Sequence, residues 1–162
     1  MHGRLYPLPE AEIDSLTADH PKLEAALFNE DGAERSVDIG AGWQMLHFIF
    51  TGRYLPQDTQ PGPLSFLAVG SRTFKAKERV LSLHAIAPAD VTTAAEQLAK
   101  ISAERVDERY RQLFNTMVEH RLFNMTCSPD DDIAECVQGL TRMQPLFAAA
   151  AERGEAMLIA YG

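Results

Sequence analysis

His47 is the residue whose type and position best suit chemistry in this chain. An imidazole titrates near neutral pH, and proteins use it as a general base or as a ligand. One turn before it, on the same predicted helix face, lies Trp43, the only tryptophan of the chain. Tyr54, at the start of a predicted surface loop over residues 53–63, is a third candidate binding residue. The two ring side chains of the helix predict the floor of a pocket beneath that loop.

A structural role for His47 is the competing interpretation, and we favour it. No carboxylate or second histidine shares its predicted helix face, so the partner that a catalytic base needs is missing there. A buried imidazole can instead orient a helix through a hydrogen bond, most cheaply to a backbone carbonyl. We therefore predict no catalytic residue, and we treat Trp43, His47 and Tyr54 as candidate binding residues only.

Residues that bind metals or phosphates are scattered along the sequence. Its five histidines show neither HxH nor HxxxH spacing, and no P-loop or GxSxG motif is present. The run Asp130-Asp131-Asp132 lacks the alternating ligands and central glycine of a calcium loop. It is better interpreted as a set of carboxylates at the positive end of a helix dipole. We predict neither a metal site nor a cofactor.

The charge balance is acidic. Fifteen lysine and arginine residues against twenty-three acidic residues give a formal net charge of −8. Nucleic acids and anionic membranes bind basic surfaces, and the sequence has no basic cluster, so we expect neither as a partner. The charge suits a basic protein partner, although a solvated acidic surface is the simpler interpretation.

The cysteines and the first residues of the chain indicate the cytoplasm. Two cysteines do not make the disulfide framework of a small secreted protein. Cys136 occupies an apolar helix position, which predicts burial, whereas Cys127 precedes a helix, where a thiol can be activated, so its reactivity stays open. The first residues lack the apolar stretch of a secretory signal, and no run approaches the about 20 apolar residues that span a bilayer.

The central element is a helix predicted to follow an acidic cap, Asp38, and to end at Gly52. Four of its residues fall at i, i+3, i+4 and i+7 on one face, namely Trp43, Leu46, His47 and Phe50. Its other sides are also apolar, which predicts burial on several sides.

Short strands and further helices surround this helix. Strands are predicted over 4–8, 64–69, 79–86 and 155–161. Helices are predicted over 9–17, after Asp19, and after Pro88, Ser102 and Ser128; Pro145 should kink or split the last of these. The fold class is α+β, a small sheet of about four short strands that joins both termini and is covered by several helices around the buried central helix.

The pattern Asp38-Ile39-x-x-x-Trp43-x-x-Leu46-His47-Phe48-x-x-Thr51-Gly52 resembles the YfbM-like family of small bacterial proteins, a domain of unknown function. Other segments are similar in the same order, namely 3–8, 62–70, 86–91 and 147–159. In the fourth helix start, Ala87 stands where the family has a hydroxyl cap. The resemblance implies a single YfbM-like domain over residues 1–162, and it implies no catalytic residues.

Two functions remain open. The first is a non-enzymatic protein-binding module, with an immunity or antitoxin-like role as one form, because the chain is small and acidic and has no catalytic constellation. The alternative is a small-molecule-binding protein or a modest hydrolase with its site near Trp43 and His47 under loop 53–63. A closed pocket at His47 with a carboxylate in reach favours the alternative, and a filled core favours the first. The oligomeric state stays open.

Overall fold

The computed structural model describes residues 2–28, 35–54, 62–74, 82–122, 125–126 and 128–162. Three of the features predicted above fall wholly or partly outside these residues: Cys127, residues 55–61 of the predicted loop, and residues 79–81 of the predicted third strand.

The described residues form one five-stranded antiparallel sheet. Its strands are β1 (Gly3–Leu8), β2 (Val37–Gly40), β3 (Arg72–Phe74), β4 (Ser82–Ile86) and β5 (Ala156–Tyr161), in the spatial order β2-β1-β5-β4-β3. Gly3 is opposite Tyr161, and Leu8 is opposite Ala156. The prediction that one sheet joins both ends of the chain is therefore confirmed, with five strands rather than about four.

The described residues form six helices. They are α1 (Glu10–Ala18), α2 (His20–Phe28), α3 (Trp43–Thr51), α4 (Pro88–Leu98), α5 (Ala103–Glu119) and α6 (Pro129–Arg153), and Ser65–Leu67 forms a single 3₁₀ turn. The α+β class is thus confirmed. None of the described helices combines the length and the apolarity needed to cross a bilayer.

The alternation of side chains along the strands divides the core into two layers. Tyr6 and Leu158 point to the face covered by α1 and α2, where the Tyr6 hydroxyl donates to the Leu27 carbonyl at 3.0 Å. Leu5 and Ile159 point to the opposite face, which α3 to α6 cover. All six residues of β5 are buried because this strand is central and both of its faces are covered. The predicted burial of α3 on several sides is confirmed, since Trp43 and every residue from Met45 to Ile49 are buried.

The start of the central helix differs from the prediction. Residues 37–40 form the edge strand β2, with Ile39 buried, and Gly40 has a left-handed φ of 80° that breaks the chain before α3. Asp38 is consequently not the helix cap; its Oδ1 accepts from the Gly40 amide at 2.7 Å in a local turn. The helix begins at Trp43, and Gly52 ends it in the left-handed conformation, as predicted.

Three further predictions are corrected. Residues 64–69 contain the 3₁₀ turn instead of a strand, and the short strand β3 was missed. Of the two effects predicted for Pro145, the split is wrong, because α6 runs unbroken around it, and a kink stays a prediction. Pro145 has no amide hydrogen to donate to the Thr141 carbonyl. Both residues are exposed, so water can form the missing hydrogen bond. Ser128 is the residue before α6, as predicted, but its hydroxyl makes no cap bond, whereas Ser102 accepts from the Arg105 amide at the start of α5.

Candidate functional site

An open cleft of about 560 Å³ lies where the 3₁₀ turn, the end of β4 and the first turns of α4 meet. This volume is within the range of about 300–1,000 Å³ that is typical of ligand sites. The described residues that line the cleft are Gly62, Pro63, Phe66, Val69, Gly70, Ser71, Ile86, Asp90 and Thr93.

One wall of the cleft is a loop fixed against β4. A Cβ atom on Gly70 would lie 2.6 Å from the carbonyl oxygen of Ala85 and 2.8 Å from the His84 ring, so no larger residue fits there. The hydroxyl of Ser71 donates to the same Ala85 carbonyl at 3.1 Å. The loop therefore runs directly over the strand, and its position is set by the strand's backbone.

The 3₁₀ turn behind this wall is held at each of its three residues. Arg53 donates to Ser65 Oγ at 3.1 Å, His84 Nε2 donates to the Phe66 carbonyl at 2.8 Å, and the Tyr161 hydroxyl donates to the Leu67 carbonyl. Burial lowers the pKa of His84 and raises the pKa of Tyr161, so near neutral pH both rings are uncharged donors. Phe66, which lines the cleft, thus rests on a fixed support.

The polar side chains in the cleft lining, Ser71, Asp90 and Thr93, all offer oxygen atoms that can accept hydrogen bonds. The Thr93 hydroxyl donates its single hydrogen to the Ala89 carbonyl at 3.0 Å, and the Ser71 hydroxyl is engaged in the same way. Their oxygens retain lone pairs with which to accept. The carboxylate of Asp90, at the third position of α4, is exposed, and among the described residues it forms no ion pair. The cleft lining therefore contains three side-chain acceptors, one of them an anion.

The residues singled out by the sequence do not line this cleft. Trp43 is 4% exposed and its indole stacks on Tyr161 with ring centroids 3.9 Å apart, while His47 is 1% exposed. Tyr54 is half-buried and stacks on the His120 ring at 4.0 Å. Trp43 and His47 thus lie in the core, and from the described part of the predicted loop 53–63, Gly62 and Pro63 reach the cleft.

Sequence reasoning missed two carboxylates that organise the helices. Glu135 of α6 accepts from the amides of Ala41 and Gly42 at 2.8 Å, so it caps α3 from 93 residues away. Asp132 is fully buried and accepts from the Tyr110 hydroxyl at 2.6 Å and the Thr126 amide at 2.9 Å. No local sequence signal identifies the contacts with Ala41, Gly42 and Tyr110, because these partners are distant in sequence.

The thiol and metal predictions concern different parts of the chain. Cys136 is buried, as predicted, and burial raises the pKa of its thiol, which keeps it protonated. Within the described ranges no group of three or more histidine, cysteine or acidic side chains is placed to hold a metal ion.

Comparison with known proteins identifies a family and a fold. The family model described as "Domain of unknown function (DUF1877)" matches residues 1–160. A solved structure, that of a protein of unknown function, YfbM from Escherichia coli, superimposes with a TM-score of 0.71 at 16% sequence identity, over 99% of each chain. The comparison with curated proteins gives no match. At this identity the structural likeness establishes the fold alone, and the family match establishes membership: the chain belongs to the DUF1877 family and has a YfbM-like fold.

Proposed function

We propose that this protein is a non-enzymatic binding module that engages a basic protein partner, with an immunity or antitoxin-like role as one form of that activity. The observation that carries the proposal is the set of polar side chains in the cleft lining, Ser71, Asp90 and Thr93, each of which offers acceptor oxygens. A partner that supplies hydrogen-bond donors and positive charge complements this set.

The state of the two hydroxyls supports binding over catalysis. A serine or threonine nucleophile gives up its proton to an adjacent base, but Ser71 and Thr93 both donate to backbone carbonyls, which are not bases. The net charge of −8 adds a long-range attraction for a basic protein, which raises the rate of encounter at low salt.

A small-molecule ligand is the second candidate, and the size of the cleft favours it. A small-molecule or hydrolase site near Trp43 and His47 under loop 53–63 stays a prediction. The burial of Trp43 and His47 counts against it, because a ligand reaches neither ring without opening the core.

The proposal is tested by capture from a lysate of the native cell. The full-length chain is immobilised, and retained proteins are identified by mass spectrometry at low and at high salt. We expect one stoichiometric protein with a basic isoelectric point, released as the salt is raised because exposed charges are screened. Retention of no protein above an empty matrix, or of an acidic partner that is insensitive to salt, would contradict the proposal.

A further inference from the structure

We infer that the cleft binds an arginine side chain of the partner, flanked by apolar residues of the same segment. This inference rests on the proposed function and names the chemistry through which the partner is recognised. Three observations support it: the arrangement of the acceptor side chains, the apolar residues beside them, and the volume of the cleft.

The acceptors match a guanidinium group. Asp90 and Thr93 are three residues apart in α4, so their side chains are neighbours on one face of the helix. Ser71 lines the same cleft from the loop that packs against β4. A guanidinium carries five N–H donors in a planar fork and has no acceptor. It can therefore donate to a carboxylate and a hydroxyl at the same time, whereas the compact ammonium of a lysine donates from a single point.

The remaining lining suits an aliphatic stem and its neighbours. Phe66, Val69 and Ile86, together with Pro63, form the apolar part of the cleft. Arginine lays its methylene groups along apolar surface while its charged end reaches polar groups. One such side chain does not fill about 560 Å³. Residues on either side of the arginine must occupy the rest, and apolar ones bury the most favourable surface.

The charges around the cleft disfavour an anionic ligand. The carboxylate of Asp90 repels an anion, and it already complements the positive end of α4. Among the described residues, the guanidinium of Arg53 approaches the Gly62 end, with Nη2 at 3.4 Å from the position of a Cβ on Gly62, and it donates to Ser65 Oγ. A cationic side chain entering on the Asp90 side is therefore the better electrostatic match.

The test is a titration of the isotope-labelled full-length protein, followed by amide chemical shifts. The probes are the blocked peptide Gly-Leu-Arg-Leu-Gly, the same peptide with neutral citrulline in place of arginine, and N-acetylarginine amide. We expect saturable shifts at Ser71, Asp90 and Thr93 with the arginine peptide, and binding weaker by about tenfold or more with the other two probes. No saturable shift, or equal binding of the citrulline peptide, would overturn the inference. Equal binding of the free arginine amide would also overturn it and assign the cleft to a small molecule.

A matched pair of variants separates the cleft from the general charge. Asp90 and Asp131 are both exposed, and both are the third residue of a helix that begins with proline. Asp90→Asn and Asp131→Asn remove the same charge from equivalent positions. We expect Asp90→Asn to lower the affinity for the arginine peptide by about tenfold. Asp131→Asn should leave that affinity unchanged. Equal weakening in both would overturn the inference.

The two proposals fail separately. A captured basic partner together with a negative titration leaves the protein-binding proposal standing and rejects the arginine site. A positive titration with no captured partner rejects the protein-binding proposal, although the cleft then still binds the guanidinium group.

Discussion

The carboxylate of Glu135 caps the helix that begins beside Gly42, although 93 residues separate the two in sequence. Its Oε1 atom accepts from the amides of Ala41 and Gly42 at 2.8 Å. A Cβ atom on Gly42 would lie 3.3 Å from the Glu135 side chain, so the glycine leaves room for the cap. The anion sits at the positive end of the α3 dipole and joins α3 to α6.

Glu135→Ala should therefore destabilise the protein. Two backbone donors lose their acceptor, and the loss of a helix cap typically costs about 0.5–2 kcal/mol. Glu135→Gln keeps an oxygen at similar reach and should cost less. The measurement is the free energy of unfolding in urea. Gln138→Ala, at an exposed position of the same helix, is the control, and its free energy of unfolding should stay within about 0.5 kcal/mol of the wild type. If Glu135→Ala is as stable as this control, the cap is not a stabilising contact.

Trp43→Ala should be among the most damaging substitutions. The indole is buried and stacks on Tyr161, and truncation of a core tryptophan typically costs about 3–5 kcal/mol. Trp43→Phe should cost less, because it keeps an aromatic ring and removes an Nε1 donor that has no hydrogen-bond partner among the described residues. Thermal unfolding measures both. The exposed Val118 offers the control Val118→Ala, and a melting temperature of Trp43→Ala equal to that control would contradict the assigned packing.

Arg121→Gly should stabilise the protein. Helices α5 and α6 end in the same hydrogen-bonded motif, in which Leu122 donates to Met117 and Glu155 donates to Ala150. The left-handed residue is Gly154 in one motif and Arg121, with φ of 51°, in the other.

A non-glycine residue in the left-handed conformation destabilises the folded state by about 1–2 kcal/mol. Glycine relieves this strain, but its greater conformational freedom in the unfolded chain offsets about half of the gain. We expect a gain of about 0.5–1 kcal/mol for Arg121→Gly and a loss of about 1–2 kcal/mol for Gly154→Ala. A stability change of the same sign in both variants would contradict this explanation.

His84 should make the stability depend on pH. Burial lowers the pKa of its imidazole in the folded state. Below about pH 6.5 the unfolded chain binds a proton that the folded chain does not, so stability falls as the pH falls. His84→Gln, which retains an amide donor for the Phe66 carbonyl, should flatten this part of the profile. Tyr161→Phe loses the neighbouring bond to Leu67 without removing the imidazole, so it should keep the wild-type slope. An unchanged slope in His84→Gln between about pH 5 and pH 7 would contradict the assignment.

Local patterns in the sequence were sufficient for much of the fold. The proline and hydroxyl signals at Pro88 and Ser102 marked the starts of α4 and α5, and the glycine at 154 marked the end of α6. The apolar periodicity around Trp43 indicated a buried central helix, because full burial requires apolar residues on every side.

The contacts that join distant segments were beyond sequence reasoning. The cap at Gly42 comes from Glu135, and the alternation of Val37 to Gly40 is too short to distinguish an edge strand from the start of a helix. The cleft combines residues of three separate segments, and nothing local to Asp90 or Thr93 indicates that Gly70 brings a loop against β4 beside them.

The most direct test of the binding account compares two neighbouring threonines of α4. Thr92 and Thr93 are both exposed and both donate to the carbonyl four residues earlier, but only Thr93 lines the cleft. We expect Thr93→Arg, which places a competing guanidinium in the cleft, to abolish capture of the partner from the native lysate, and Thr92→Arg to capture it as the wild type does. Both variants should melt like the wild type. Undiminished capture by Thr93→Arg, or equal loss in both variants, would contradict the assignment of this cleft as the binding site.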